Sequence, residues 1–145
     1  MFRRTKKEYR EKGMNITLEP VDDELFVYAD PVQLRSAVTN ILENSLKYKD
    51  GETVDVNIRC KNLENHVAIA IEDNGPGVSE EALPKLFDVF YRSDPSRNNP
   101  QKGSGLGLAI TAKILERFGG SVSAENAEPK GLRVILNVPK EEKHE

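Results

Sequence analysis

The glycine-rich stretch QKGSGLGLAITAKILERF, residues 101–118, constrains this chain more than any other segment. Gly103, Gly105 and Gly107 alternate along it. Apolar residues at helical spacing follow at once, and the helix is predicted to bury Leu108, Ala109, Ala112, Ile114, Leu115 and Phe118. Glycine lets the backbone approach a ligand closely, and the first amide groups of a helix are unpaired donors that favour an anion. The spacing matches neither the dinucleotide fingerprint nor the Walker loop. The glycines therefore predict either a phosphate site at a helix entrance or a flexible loop that caps the helix.

Length and charge narrow the class of protein. The chain has 145 residues, which is the size of one domain, and a net charge of −3, which gives no sign of nucleic-acid binding. Its single cysteine, Cys60, cannot form an internal disulfide, and no run is apolar enough for a membrane helix or signal peptide. We expect a cytosolic domain with no nucleic-acid partner and no direct membrane contact.

The two ends of the chain differ in composition from the middle. Residues 1–13, MFRRTKKEYREKG, carry six basic and two acidic residues and almost no core-forming side chains. We interpret them as an entry linker, either a solvated helix end or a helix that continues into a neighbouring domain. A globular unit is expected over residues 14–140, and a frayed tail over residues 141–145.

The pattern of apolar residues predicts an α/β (α+β) sandwich, a mixed sheet with helices on one face. Asp30 and Pro31 mark a helix start, and Gly119 and Gly120 mark a helix end. The predicted elements are strands at NITLEP and ELFVYA, a helix over 31–48, a hairpin with its turn near 62–65, a short helix after Ser79, a helix from about Gly105, and strands at SVSAEN and LRVILNV joined by a turn at 129–131.

The helix predicted over residues 31–48 has a polar seam beside its apolar stripe. Asn40, Glu43, Asn44 and Lys47 fall within a narrow arc at 3.6 residues per turn. Magnesium is held by few protein oxygens together with water and substrate phosphates, so two carboxamides at this spacing suit it. The alternative is an ordinary solvated face, although asparagine is a poor helix former. The apolar stripe is predicted at Leu34, Ala37, Val38, Ile41, Leu42 and Ser45.

A second candidate site is the sequence EDNGPGV, residues 72–78, at the end of a predicted strand. The Asp73 carboxylate can accept a hydrogen bond from an exocyclic amine, and Gly75 and Gly77 let a flat base lie close to the backbone. The alternative is an ordinary turn that follows a strand.

A third candidate is the irregular polar stretch that follows Phe87. Loops of this length usually act as lids or are disordered, and Arg92, Arg97 and Lys102 could close over phosphates. The alternative is an insertion without a role in binding.

Taken together, four segments in this order resemble one family. NILENSLKY resembles the N box, DNGPG the first glycine box, LFDVFYR the F box and GSGLGLAI the second glycine box of sensor histidine kinases. The resemblance covers roughly residues 16–139. It implies the Bergerat-type ATP-binding fold, shared with DNA gyrase, heat-shock chaperones and mismatch-repair ATPases. The expected architecture is a mixed sheet covered on one face by about three helices.

The resemblance implies a role for individual residues. Asp73 would bind the adenine amine, Gly75 and Gly77 would shape the base pocket, and Asn40 and Asn44 would hold Mg²⁺. Glu43 and Asn44 would be the catalytic residues. The other residues implied to contact ATP are the phosphate ligand Lys47, the pocket wall Tyr48, the lid residues Arg92 and Lys102, and the glycine-box residues Gly103, Ser104, Gly105, Leu106 and Gly107.

The family transfers the γ-phosphate of ATP to a histidine on a separate dimerisation domain, for relay to the receiver domain of a response regulator. This chain has only His66, beside the predicted hairpin turn, and His144, in the tail, and neither is expected to be the acceptor. The resemblance therefore implies an isolated catalytic domain that uses ATP and Mg²⁺, with residues 1–13 leading from a missing dimerisation domain. Val89 and Lys102 depart from residues common in the family.

Two other functions stay open at this point. One is a nucleotide-binding regulatory module without transferase activity, which the missing acceptor and the two departures suggest. The other is a gyrase-type clamp ATPase, although such enzymes need additional segments that 145 residues hardly accommodate.

Overall fold

The computed structural model describes residues 2–20, 27, 29–88 and 107–140. Along these ranges the chain forms helix α1, strand β1, helix α2, strands β2 and β3, a short 3-10 helix, helix α3 and strands β4 and β5. Their bounds are α1 Phe2–Glu11, β1 Met14–Leu18, α2 Pro31–Lys47, β2 Val54–Asn62, β3 His66–Asp73, the 3-10 helix Leu83–Lys85, α3 Gly107–Arg117, β4 Ser121–Asn126 and β5 Leu132–Pro139.

The five described strands form one mixed sheet in the order β1-β2-β3-β5-β4. Strands β1 and β2 are parallel, and the other neighbouring pairs are antiparallel. Alternate strand residues point into one core that also contains the buried side chains of the three helices. The predicted α/β sandwich with helices on one face is therefore confirmed. Of the second predicted strand, ELFVYA, the structure describes Val27 and Ala29, and Val27 forms a bridge to Lys140.

Helix α2 begins and packs as its sequence predicts. The Asp30 side chain accepts hydrogen bonds from the backbone N–H groups of Val32 at 2.8 Å and Gln33 at 3.2 Å, which satisfies donors at the helix start. Five members of the predicted stripe are buried, and Leu34 is half-buried. The buried members are Ala37, Val38, Ile41, Leu42 and Ser45.

Helix α3 lies against α2, and its buried face differs from the prediction at three positions. Thr111, which the apolar pattern did not include, is fully buried, whereas Ala112 and Phe118 are half-buried. The Thr111 hydroxyl is satisfied in the core because it donates to the backbone carbonyls of Gly107 at 3.2 Å or Ala37 at 3.3 Å. A buried polar side chain thus marks the α2–α3 contact. The predicted helix entrance at Gly105 lies outside the described residues.

Two local elements also differ from expectation. The short helix predicted after Ser79 is a hydrogen-bonded turn followed by the 3-10 helix, and the Ser79 hydroxyl accepts from the N–H of Ala82 at 3.2 Å. Pro84 lacks an N–H and so removes one donor that an α-helix would use here. Helix α1 is not merely a solvated segment, because its Tyr9 side chain is 5% exposed and belongs to the core. The missing neighbouring domain remains a prediction.

Candidate nucleotide-binding site

Asp73, the last residue of β3, is held in one orientation by three hydrogen bonds. Its Oδ1 accepts from the backbone N–H groups of Gly75 at 3.0 Å and Leu132 at 3.1 Å. Its Oδ2 accepts from the Ser45 hydroxyl at 2.7 Å. A carboxylate has about four acceptor positions, so one position, on Oδ2, has no donor among the described residues. The side chain is 8% exposed, and it presents one acceptor of fixed direction.

Ser45 has a polar role that the sequence prediction missed. The helical pattern placed it in the apolar stripe of α2, and it is buried there at 6% exposure. Its hydroxyl reaches across to the acid at the end of β3, 28 residues further along the chain. The available signal was a hydroxyl side chain among apolar neighbours, because a buried hydroxyl needs a partner.

The turn after Asp73 requires its glycines. A Cβ atom at Gly75 would lie 3.3 Å from Oδ1 of Asp73, inside the space of the hydrogen-bonded carboxylate. Gly77 has φ of 75°, and a Cβ atom there would lie 2.7 Å from Oδ1 of Asn126. Larger residues would displace the carboxylate or the turn. The two glycines are thus explained by close packing of the turn against Asp73 and Asn126.

Two asparagines that the sequence analysis did not select fasten this turn. Asn74 accepts from the N–H of Asp55 at 2.8 Å through Oδ1, and its own N–H donates to the Asp55 carbonyl at 3.1 Å. Asn126 accepts from the N–H of Val78 at 2.9 Å and donates to its carbonyl at 2.7 Å. No motif signals the second pair, because its members lie 48 residues apart in the chain.

The predicted polar seam lies on α2 beside this carboxylate. Asn44 precedes Ser45, so it lies near the end of β3 that carries Asp73. Asn40 and Asn44 are half-buried, whereas Glu43 and Lys47 are exposed. Within the described ranges, neither the Asn40 nor the Asn44 side chain has a hydrogen-bond partner. The two carboxamides are therefore available to a ligand.

The donor set of the seam fits magnesium held jointly with phosphate. The described part of the chain contains no group of three or more acidic, histidine or cysteine side chains able to hold a metal ion. Carboxamide oxygens are hard ligands, and Mg²⁺ completes its shell with water and substrate phosphates. Asn40 and Asn44 suit that role only when a phosphate chain is also present.

Helix α1 contacts the same helix through Tyr9. Tyr9 hydrogen-bonds Thr39 of α2, and burial, followed by the negative charge of Glu43, raises the pKa of the Tyr9 phenol. Glu43, an exposed member of the seam, thus lies near a buried phenol. Tyr48 follows α2 as its C-terminal cap, is partly exposed, and donates its N–H to the Asn44 carbonyl at 3.2 Å.

The predicted phosphate side falls largely beyond the described residues. Gly107 is described, as the exposed first residue of α3. Val89, which departs from the residues common in the family, lies outside the described residues. The other predicted phosphate ligands also lie outside them, and their roles remain predictions. They are Arg92, Arg97, Lys102, Gly103, Ser104, Gly105 and Leu106.

A family model described as histidine kinase-, DNA gyrase B- and HSP90-like ATPase matches residues 29–142. The match spans well over half of the chain, so the chain belongs to this family of ATPases. The matched region includes the α2 seam, Asp73 and the glycine turn.

Among curated proteins, the chain is 41% identical over 125 residues to the sensor histidine kinase CusS of Escherichia coli O6:H1. It is 32% identical over 133 residues to the sensor protein kinase WalK of Staphylococcus haemolyticus. These alignments cover 86% and 91% of this chain but 25% and 22% of the relatives. The chain therefore spans about a quarter of the length of the curated relatives it matches.

Among solved structures, the catalytic domain of the histidine kinase ThkA in a nucleotide-free form is similar, with a TM-score of 0.79 at 26% identity. The match covers 96% of this chain and 88% of that domain. A structure of ThkA in complex with the response regulator protein TrrA also matches, with a TM-score of 0.76 at 25% identity, covering 97% of this chain and 38% of that chain. None of the helices in the described ranges is both long and apolar enough to cross a membrane.

Proposed function

We propose that this chain is the catalytic ATP-binding domain of a two-component sensor histidine kinase. The observation that carries the proposal is the single open acceptor position on Asp73, at the end of a strand and beside a glycine turn. Membership of the ATPase family supports ATP as the nucleotide. Similarity to CusS and to the catalytic domain of ThkA supports a histidine kinase rather than another member of that family.

The adenine base is proposed to bind at Asp73. Its exocyclic amine donates to the open position on Oδ2, while the backbone and Ser45 donors hold the carboxylate in place. A carbonyl in place of that amine would set two acceptors against each other, which is strongly unfavourable in a buried site. The same geometry therefore selects adenine. Gly75 and Gly77 are proposed to let the ring lie close to the backbone of the turn.

The triphosphate is proposed to lie along the α2 seam and reach the second glycine box. Asn40 and Asn44 would hold Mg²⁺, and Lys47 would neutralise charge on the phosphates. Magnesium supplies charge neutralisation of the phosphate oxygens when bound. The proposed roles of Arg92, Lys102 and residues 103–107 are to cover and bind the phosphate chain, with backbone amide groups at the start of α3.

In the transfer step, the bond between the γ-phosphorus and its bridging oxygen breaks, and a bond to an imidazole nitrogen of the acceptor forms. ADP leaves with the electron pair of the broken bond. Glu43, exposed on the seam, is proposed to accept or orient the proton of the incoming histidine. The protein contributes mainly by positioning and by charge neutralisation, because phosphoryl transfer requires little covalent chemistry from the enzyme.

The acceptor histidine is proposed to belong to a dimerisation domain of the same parent kinase. His66 begins β3, at the opposite end of that strand from Asp73, so it cannot meet a γ-phosphate bound at the seam. The complex of ThkA with a response regulator supports a receiver domain as the second partner. A cytoplasmic setting, where ATP is available, follows from this role, and neither nucleic acid nor membrane contact is part of it.

The proposal is tested by mixing the purified chain with a histidine-bearing dimerisation domain of its parent kinase and γ-labelled ATP. Labelled, acid-labile phosphohistidine is expected on the added domain and is lost with Asp73→Asn. The control Asn65→Ala changes an exposed asparagine in the hairpin turn and retains transfer. Nucleotide binding without any phosphohistidine would contradict the kinase proposal and leave a regulatory nucleotide-binding module. Nucleotide-driven dimerisation of the chain would favour a clamp ATPase.

A further inference from the structure

Asn126, the last residue of β4, holds one residue of the glycine turn at both of its backbone groups. Its Oδ1 accepts from the Val78 N–H at 2.9 Å, and its Nδ2 donates to the Val78 carbonyl at 2.7 Å. One side chain thus supplies both hydrogen bonds that a neighbouring strand residue would supply in a paired ladder. Val78 lies outside the described strands, yet it is joined to the sheet as a strand residue would be.

The first residue of β5 and the loop that precedes it contact the same turn at two further places. The N–H of Leu132 donates to Oδ1 of Asp73. Gly131 adopts φ of 117°, and its carbonyl would lie 3.0 Å from a Cβ atom at Gly77. Asn126, Gly131 and Leu132 therefore border the Asp73–Val78 turn. None of these three residues belongs to the four sequence boxes.

We infer that Asn126 is a positioning residue for the adenine pocket, and this inference rests on the function proposed above. It acts through Val78 and Gly77, because it fixes the backbone that follows Asp73 rather than contacting the base. Without both hydrogen bonds, the segment that lines the pocket is held at Asp73 but released at its far end. The base would then have to order that segment when it binds, which lowers affinity.

The geometry distinguishes this role from simple filling of space. Asn126→Asp preserves the volume of the side chain and the acceptor for the Val78 N–H. It replaces the donor with a second acceptor that faces the Val78 carbonyl. The hydrogen bond to that carbonyl is therefore lost, and the two oxygen atoms repel each other. A space-filling residue would tolerate this substitution, whereas a positioning residue would not.

The experiment compares Asn126→Ala and Asn126→Asp with Asn137→Ala. Asn137 of β5 also makes a side-chain hydrogen bond to a neighbouring strand, to Ser121 at 3.1 Å, but at the other end of the β4–β5 pair. Adenosine, which is uncharged, measures the base pocket alone. A non-hydrolysable ATP analogue with and without Mg²⁺ measures the contribution of the α2 seam. Amide hydrogen exchange at Val78 reports the turn directly.

In Asn126→Ala, adenosine and the ATP analogue are expected to bind about tenfold more weakly, by the same factor, as the net value of one to two hydrogen bonds implies. The ratio of affinities with and without Mg²⁺ stays unchanged, and the Val78 amide exchanges faster. Asn126→Asp loses at least as much adenosine affinity as Asn126→Ala. Asn137→Ala binds both ligands as the unmodified chain does.

Two results would overturn the inference. If either Asn126 variant binds adenosine as tightly as the control Asn137→Ala does, the pocket is positioned by other contacts. An unchanged Val78 exchange rate would show that the turn does not depend on Asn126. Should Asn126→Ala fail to fold, the isosteric Asp variant decides the question alone. Failure of the unmodified, folded chain to bind either ligand would instead overturn the proposed nucleotide function itself.

Discussion

The base side and the phosphate side of the candidate site differ in how far the protein itself completes them. At the base side, Asp73 has three donors and the following turn is fastened to β2 through Asn74 and to β4 through Asn126. At the phosphate side, the side chains of Asn40 and Asn44 have no hydrogen-bond partners in the described part of the chain. One side is organised by long-range contacts within the fold, whereas the other offers polar groups to a ligand.

This difference separates stability from ligand binding. Changing a residue of the base side breaks contacts that the folded chain already makes, so it costs stability as well as affinity. Changing a carboxamide of the α2 seam removes a proposed Mg²⁺-binding group but no hydrogen bond among the described residues. The following predictions test this separation, beginning with the largest expected effect.

Gly131→Ala is expected to cause the largest loss of stability. Gly131 has φ of 117°, and an added Cβ atom would lie 1.9 Å from the carbonyl oxygen of Asp73, so the backbone itself must shift. We expect unfolding in urea to show a loss of about 3 kcal/mol or more. Gly51→Ala is the matched control, because its Cβ atom would meet nothing closer than 4.0 Å. A loss below about 1 kcal/mol would mean that the β4–β5 loop is not tightly packed on the base side.

Ser45→Ala is expected to cost about 1–2 kcal/mol of stability, because a hydrogen bond to a buried carboxylate is lost while alanine is a somewhat better helix former. The change also frees Asp73 to rotate, so nucleotide affinity falls several-fold. Ser36→Ala, at an exposed position of the same helix, is the control for helix propensity. Equal stability of the two variants would show that the Ser45–Asp73 bond contributes nothing.

Asn44→Ala is expected to show the opposite pattern. Alanine favours the helix, so stability is unchanged or slightly increased. Affinity for an ATP analogue falls about tenfold in Mg²⁺, equivalent to about 1.4 kcal/mol, and changes little without it. Calorimetric titration measures the affinity with and without Mg²⁺, and urea unfolding measures the stability. Asn65→Ala is the control for both measurements. A loss of stability comparable with that of Ser45→Ala would break the distinction between the two sides.

Tyr9→Phe is expected to change the free energy of unfolding least of all near neutral pH, and to change it clearly at alkaline pH. The pKa of the Tyr9 phenol is raised above its ordinary value of 10.0 by burial and by Glu43, so the folded chain favours the protonated phenol. The contribution of the protonated phenol to stability is complete below pH 10, the ordinary pKa. It is lost as the pH rises through the pKa of the phenol in the folded chain. Urea unfolding between pH 8 and about pH 11 measures it. The phenylalanine variant should lose less stability over this range.

The comparison is best made in a Cys60→Ala background. Burial raises the pKa of the Cys60 thiol as well, so this group also loses its contribution as the solution becomes alkaline. Alkaline stability profiles that are identical with and without the Tyr9→Phe change in that background would contradict a buried phenol at the α1–α2 contact.

Local signals in the sequence predicted most of the fold. The Asp30–Pro31 pair marks the start of α2, alternation marks the strands, and Gly119–Gly120 marks the end of α3. These features depend on neighbouring residues, so a reading along the chain finds them. The short helix predicted after Ser79 is a 3-10 helix at Leu83–Lys85, and the proline within it lacks the N–H that an α-helix would use.

The contacts that organise the base side could not be predicted in the same way. The chain patterns select Asp73 and its glycines, but its partners Ser45 and Leu132 come from other elements. Asn126 carries no local signal, since only the pairing of the strands brings it to the turn after Asp73. The sequence patterns thus select the motif residues. The residues that hold them in place are found only once the strands and helices have been placed relative to one another.

The most direct test of the account compares adenosine with inosine, which carries a carbonyl in place of the exocyclic amine, in the unmodified chain and in Asp73→Asn. The asparagine can retain both backbone donors on Oδ1, and its amide nitrogen can donate to the Ser45 hydroxyl, so the fold is preserved. Calorimetry is expected to show adenosine binding at least about tenfold more tightly than inosine in the unmodified chain, with this preference lost in the variant. Equal binding of the two nucleosides by the unmodified chain, or an unchanged preference in Asp73→Asn, would contradict the assignment of Asp73 as the group that recognises adenine.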